Sequence, residues 1–312
     1  MEKNDEDMRL DGVSVVMPAH DEEEGIASSI REVREALEGL DRPWELLVVD
    51  DGSTDETAAI ARESGARVVA LPKNLGYGGA LKAGIGRAAY DTIVIIDADG
   101  TYPGVSIPAL LDFSQEYDMV VGARVGDNVH IPALRRLPKW FLGKLAGYLA
   151  GQRIPDLNSG LRVVRRDLVK RFEHLLPSGF SFTTTLTLAA LSTDTLVHFH
   201  PIDYRPRLGT SKVRPFHAFD FLMLILRTVV FFNPLKVFLP LGGILFLVGF
   251  GKFVWDLFIG DFSDTVVMGF LGAVIVWCVG LLSDQIARVA LGARTPRRPP
   301  ADGSAAGGWR SA

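Results

Sequence analysis

Asp97, Ala98 and Asp99 follow directly on an apolar run at 92–96. Residues two apart on an extended chain point the same way, so both carboxylates leave the strand end together. Paired oxygen donors suit a hard divalent cation such as Mg²⁺ or Mn²⁺. Such an ion takes one or two carboxylates and completes its shell with phosphate and water. Held there, it would neutralise a nucleotide diphosphate leaving group. The same residues also suit a polar strand end that turns at Gly100. Asp50 and Asp51, with Ser53, Thr54 and Asp55, follow a second run at 45–49 and open a helix. A carboxylate there can accept hydrogen bonds from a base or ribose, and Ser53, Thr54 or Asp55 can equally cap the helix. Pro18, Ala19, His20, Asp21 and Glu22 follow a third run at 13–17, and the acids there also favour a helix N-terminus. Taken singly, each cluster can be capping. Three acidic clusters at three strand ends mark an edge where a ligand belongs.

The elements that place these residues are legible as alternation. Runs at 13–17, 45–49, 67–70, 92–96 and 119–121 are short and apolar, and most are rich in Val and Ile, as strands are. Stretches at 22–39, 54–64 and 78–89 have helical spacing. Apolar strands separated by helices predict a largely parallel sheet covered on both faces. In such sheets ligands bind beyond the carboxyl ends of the strands. The Gly-rich stretch 73–79 adds a turn opening a helix, which can admit an anion close to the backbone. It is neither a Walker loop nor a dinucleotide fingerprint. The stretch 128–208 is less regular, with a basic, Pro-interrupted segment at 131–144, and reads as the acceptor-side half of the same domain.

Beyond residue 221 the composition turns apolar. Apolar residues make up 48% of the 312-residue chain, and the mean hydropathy is +0.21. The segment 215–233 suits a helix lying in a bilayer interface, with a buried core helix as the alternative. Segments at about 235–259 and 265–283 have the length of membrane-spanning helices; Lys252 lies near one end of the first and can snorkel. The expected organisation is a polar tail at 1–11, a catalytic domain at 12–214, the interfacial helix, a two-helix unit at 234–288 and a disordered basic tail at 289–312. Arg288, Arg294, Arg297 and Arg298 follow the second span, and positive-inside bias puts them in the cytoplasm. Two crossings return the chain to the side of its first domain. The polar start lacks the basic-then-apolar order of a signal peptide, so that domain is expected to be cytoplasmic. A net charge of -4 gives no reason to expect nucleic acid. Cys278, the single cysteine, precludes an intramolecular disulfide.

Residues 18–22, 48–57, 74–80, 96–103 and 158–162 together resemble family 2 glycosyltransferases with the GT-A fold, and more closely the dolichol-phosphate mannosyltransferase-like, polyprenyl-phosphate branch. The stretch from Ile96 to Pro103 is similar to that branch's extended metal motif. Asn158, Ser159, Gly160, Leu161 and Arg162 are similar to its Ser-Gly-Phe/Leu-Arg segment. Gly209, Thr210, Ser211 and Lys212, followed by an amphipathic helix and two spans, extend the likeness to about residue 288.

The resemblance implies an α/β GT-A domain, Rossmann-like and mostly parallel, that transfers a hexose from a nucleotide sugar to a polyprenyl phosphate with inversion. Pro18, His20, Glu22, Asp50 or Asp51, Asp97 and Ala98 would form the donor site. Asp97 and Asp99 would act catalytically by bracketing the cation and diphosphate. Arg124, Arg135 or Arg136, Ser159, Arg162, Arg205, Arg207 and Lys212 are the candidates for donor or acceptor phosphates, since guanidinium pairs bidentately with phosphate. His20-Asp21 stands where the family commonly has Tyr-Asn, and the segment 131–144 lacks a clear match to the mannosyltransferase phosphate-binding Ser. At Phe182, Thr183, Thr184 and Thr185 there is no carboxylate to act as a general base, and an ionised phosphate acceptor needs none. The resemblance further implies an integral, two-pass protein with both termini cytoplasmic, in the plasma membrane of a prokaryote. Another lipid or polysaccharide acceptor, and a non-catalytic nucleotide-sugar scaffold, are the competing readings. The base, the sugar and a homo-oligomer stay open.

Overall fold

A computed structural model describes residues 12–125, 147, 154–179, 181–193, 195–206, 223, 226, 230–231, 233–260 and 263–292. Its sheet has the order β3-β2-β1-β4-β6-β5-β7. β1 (Val13–Ala19), β2 (Trp44–Asp50), β3 (Arg67–Ala70) and β4 (Thr92–Ile95) pair in parallel. β5 (Met119–Arg124) and β7 (Val197–Ile202) are parallel to each other, while β6 (Arg162–Arg165) runs antiparallel to both β4 and β5. The reversal puts the start of β6 on the edge where β1, β2, β4, β5 and β7 end. The largely parallel sheet expected from the sequence is present, with β6 its one antiparallel strand among the described residues. β6 and β7 fall within the stretch read from sequence as irregular.

Successive strand residues feed opposite faces, and both faces are covered. Val13, Val15 and Met17 point to one core with Leu46, Val48 and Val94. There they meet α1 (Ile26–Glu38), whose Ile26, Ile30, Val33 and Leu37 recur at helical spacing and are all buried. Each contributes about 2 kcal/mol by leaving water. Val16, Val49, Ile93 and Ile95 point to the second core, against Leu81 and Ile85 of α3 (Tyr77–Arg87). Phe172 of α5 (Arg166–Phe172) and Phe182 and Leu186 of α6 (Phe182–Leu191) complete that core. The shorter helix α2 (Thr57–Glu63) connects the neighbouring strands β2 and β3, while α4 (Ile107–Phe113) leads from β4 to β5, which β6 separates in the sheet. α1 starts later than the expected residue 22, because 23–25 form a turn.

α7 (Leu235–Ile259) and α8 (Asp264–Gly292) form a hairpin. Both are long and apolar enough to cross a membrane. Gly249 and Gly269 let their backbones meet, with no room for a side chain between them. Lys252, expected to snorkel near one end of its span, pairs with Asp256 one turn on. The other Asp256 oxygen accepts the Ser263 backbone N–H at 3.0 Å and its hydroxyl at 2.9 Å, closing the turn between the helices. Within 215–233, Met223, Leu226, Val230 and Phe231 are described and helical, and Phe231 packs against the second core.

Candidate active site

At the carboxyl edge of the sheet the first two acidic clusters are stitched to each other. The Asp21 N–H donates to Ser53 Oγ at 3.0 Å, the Glu22 N–H to Thr57 Oγ1 at 2.8 Å, and the Thr54 N–H to Asp21 Oδ1 at 2.8 Å. Asp21 has φ 48°, a conformation a short polar residue tolerates. Asp50 accepts the Ser53 N–H at 3.0 Å and Asp51 accepts the Leu75 N–H at 2.7 Å. Both are buried, so each uses an oxygen to fix the loops around the edge. Pro18 is buried within β1, opposite Val49 of β2. His20 follows the strand, with Nε2 3.4 Å from Asp21 Oδ2.

Asp97 and Asp99 differ from expectation in geometry. Strand pairing of β4 stops at Ile95, and Ala98–Gly100 turns instead of staying extended. Asp99 Oδ1 accepts the Thr101 N–H at 3.1 Å and the Thr101 hydroxyl at 2.6 Å. Asp97 Oδ1 accepts the Tyr77 hydroxyl at 2.8 Å. Ala98 is pinned from below, its carbonyl accepting Ser29 Oγ of α1 at 2.9 Å. On the far side stands Gly160, where any Cβ would overlap the Asp97 carboxylate. Burial first, and the charge of Asp99 second, push the Asp97 carboxyl up to about 6, against the pull of Tyr77, Arg124 and Arg162. Two crowded carboxylates of this kind are a donor set that a divalent cation would relieve.

The phosphate candidates divide. Arg124, at the end of β5, is held by Asp156 through Nε at 2.6 Å and Nη2 at 2.8 Å, and by Asn158 at 2.7 Å. Its guanidinium also lies 5.1 Å from the Tyr204 ring centroid. Burial, the largest single influence, opposes its charge, but the Asp156 hydrogen bond together with Tyr102, the Asp156 charge and Tyr204 outweighs it and holds its pKa above the usual arginine value. Arg162 and Ser159 are fully buried. Arg162 donates to the Thr183 carbonyl and Thr187 Oγ1, each at 3.0 Å, and to the Ser159 carbonyl. Ser159 Oγ donates to the Gly122 carbonyl at 2.5 Å. These two therefore brace the site from within; as direct phosphate ligands at an exposed surface, the structure does not support them. Arg205 turns to Glu32 at 2.9 Å, and its own N–H ties the exit of β7 to the Thr101 carbonyl at 3.0 Å. Arg135, Arg136, Arg207 and Lys212 lie outside the described residues.

Sequence reasoning did not single out Tyr77, Tyr102, Asp156 or Thr187. Tyr102 accepts the Gly160 N–H at 2.7 Å and stacks edge-on with Tyr204. The available signal was proximity: Tyr77 sits in the Gly-rich turn and Tyr102 in the stretch after Asp99.

The chain that carries this site has counterparts among known proteins. Residues 14–172 match the family model for glycosyl transferase family 2. The chain belongs to that family. Residues 233–289 of this family 2 glycosyltransferase match a second model, the GtrB C-terminal hairpin. A dolichyl-phosphate hexose transferase of Haloferax volcanii is 33% identical over 209 residues, covering 66% of this chain and 89% of that protein. An undecaprenyl-phosphate 4-deoxy-4-formamido-L-arabinose transferase of Sodalis glossinidius is 28% identical over 301 residues, 90% of each chain. Among solved structures, glucosyl-3-phosphoglycerate synthase from Mycobacterium tuberculosis, crystallised with Mn²⁺, UDP and phosphoglyceric acid, superposes with a TM-score of 0.57. At 22% identity, covering 73% of this chain and 84% of that one, it shares the fold.

Proposed function

We propose that this glycosyltransferase transfers a hexose, with inversion, from a nucleotide sugar to a polyprenyl phosphate at the cytoplasmic face of a membrane. The observation that carries the reading is the state of the carboxylates around Asp97. Asp99 is engaged with Thr101, Asp156 with Arg124, and Asp50 and Asp51 with backbone amides. Each of these is already tied to a donor of the protein itself, so none is marked out as a base for an acceptor hydroxyl. A phosphate acceptor asks for no such base, being ionised and nucleophilic near neutral pH. Two lipid-phosphate transferases among the relatives support the same acceptor class.

In the proposed step an acceptor phosphate oxygen attacks the anomeric carbon. The bond from that carbon to the donor phosphate oxygen breaks, and the nucleoside diphosphate leaves from the opposite face. Asp97 and Asp99 fit a divalent cation by charge and by donor type, and Mg²⁺ or Mn²⁺ held there would stabilise charge on the leaving diphosphate. Gly160 leaves room for the Asp97 carboxylate, and the buried Arg162 supplies fixed positive charge nearby. The 18–22 and 50–55 loops, bound to one another, are the proposed donor face. Phe231 on the second core anchors the approach to the hairpin, keeping the catalytic edge near its lipid. Both termini are proposed to be cytoplasmic.

The test is turnover of GDP-mannose, UDP-glucose and UDP-N-acetylhexosamines by the full chain in lipid nanodiscs, with and without polyprenyl phosphate. The reading requires sugar to appear on the lipid in stoichiometry with released nucleoside diphosphate. Release that ignores the lipid phosphate for every donor would refute it.

A further inference from the structure

The Gly-rich turn does more than open a helix, because its Tyr77 crosses to the acidic pair. Twenty residues separate Tyr77 from Asp97, yet the phenol donates to Asp97 Oδ1 at 2.8 Å. The backbone that presents this phenol is tightly held. Gly76 has φ +83° and lies against the Ser178 carbonyl, where a Cβ would sit 2.7 Å away. The Gly79 N–H donates to the same carbonyl at 3.0 Å. Gly78 is closed in by the Pro177 carbonyl and Phe182 Cβ. The Tyr77 ring packs on the second core, so its hydroxyl has little freedom to move. Asp97 is thus gripped by a phenol at one oxygen and confronted by the bare Gly160 backbone on another side.

We propose that Tyr77 is a positioning residue that orients Asp97 for the divalent cation. A carboxylate oxygen has two lone pairs, so the bond from Tyr77 still leaves Asp97 capacity to coordinate. Rotation of the carboxylate about its last bond is stopped before the ion arrives. Loss of a group that holds a metal-binding side chain in this way typically costs about 10–100-fold in metal affinity. The simpler alternative is that the ring fills the core and the hydroxyl is merely satisfied at its rim. Phenylalanine separates the two, since it keeps the ring and removes only the hydroxyl.

The inference rests on Asp97 holding the cation, and the experiment distinguishes failure of either. Mn²⁺ alone is titrated into the full chain in detergent and free ion is read by electron paramagnetic resonance, with thermal melting measured in parallel. Tyr77→Phe is expected to melt with the wild type and to bind Mn²⁺ about tenfold more weakly. Asp97→Asn is expected to lose the site. If Asp97→Asn loses Mn²⁺ while Tyr77→Phe binds like the wild type, the role of Tyr77 is refuted and the cation site stands. If Tyr77→Phe melts early along with its loss of affinity, the hydroxyl is structural and the inference also fails. If Asp97→Asn binds Mn²⁺ like the wild type, the cation reading falls and takes the inference with it.

Discussion

Replacing Asp97 with Asn is expected to stabilise the metal-free chain while abolishing its transfer activity. The folded carboxyl titrates at about 6, against 3.8 for a free one. The folded chain therefore holds this proton more tightly than the unfolded chain. The resulting contribution to stability is full below about pH 4, declines as pH rises, and is gone above about 6. A difference of about 2 units corresponds to roughly 3 kcal/mol. Asp97 keeps some contact with solvent, and screening reduces the figure to about 1.5 kcal/mol. Asn cannot ionise and retains an acceptor for Tyr77, so it escapes that penalty. For a domain of this size the gain is about 3–6 °C in melting temperature. The assay is thermal melting of wild type and Asp97→Asn with a chelator, at about pH 4.5 and pH 7.5. The advantage of Asn should grow between the two, and added Mn²⁺ should shrink it by binding only the wild type. An Asn variant less stable at pH 7.5, or an advantage independent of pH, would refute the account of a crowded, buried carboxylate.

Gly160→Ala should displace the Asp97 carboxylate, weakening Mn²⁺ binding and destabilising the fold by about 1–3 kcal/mol; wild-type affinity would show that the close approach is dispensable. Arg124→Ala removes the guanidinium that balances the charge of the buried Asp156 and should destabilise by about 3–5 kcal/mol. A melting temperature unchanged in that variant, with only the lipid dependence altered, would return Arg124 to the acceptor site. For topology, a cysteine at Phe262 should be labelled from outside the cell and one at Ser304 should not; the reverse pattern rejects a cytoplasmic catalytic domain.

The central strands were plain in the sequence because they are buried on both faces and therefore near-continuously apolar. Val13–Ala19 extends its expected run by two residues at the carboxyl end, and Trp44–Asp50 extends its own by one at each end. Arg162–Arg165 was hidden: four residues with an arginine at each end give no alternation, and its antiparallel pairing is a tertiary fact. Val197–Ile202 carries two histidines and Pro201, which an outer strand of the sheet tolerates. Phe182–Leu191 opens with a phenylalanine and three threonines, which favour strand, yet it is a helix buried along all ten residues, tertiary context overriding propensity. The acidic edge was legible because carboxylates after strands recur three times. What Arg162 does was not legible, since nothing in its sequence neighbourhood shows that its guanidinium ends among backbone carbonyls. Tyr77 escaped for a related reason. Its partner lies a full crossover away, and a tyrosine among glycines carries no label of its own.

The reversed strand β6 has a consequence for how the stretch between Arg124 and Asp156 can change. Because β6 starts on the edge where β5 ends, the chain between Arg124 and Asp156 departs and returns at one place. The Arg124–Asp156 bridge joins those two points, thirty-two positions apart in sequence. An excursion fastened at its own neck is a cassette. Lengthening it changes closure entropy slowly, by about 0.6 kcal/mol for each doubling. No strand register shifts with its length, and the acidic pair keeps its footing on β4 and α1. Exchange of the whole stretch between related enzymes, cut on the outer side of the bridge, should therefore leave the sheet and the acidic pair undisturbed.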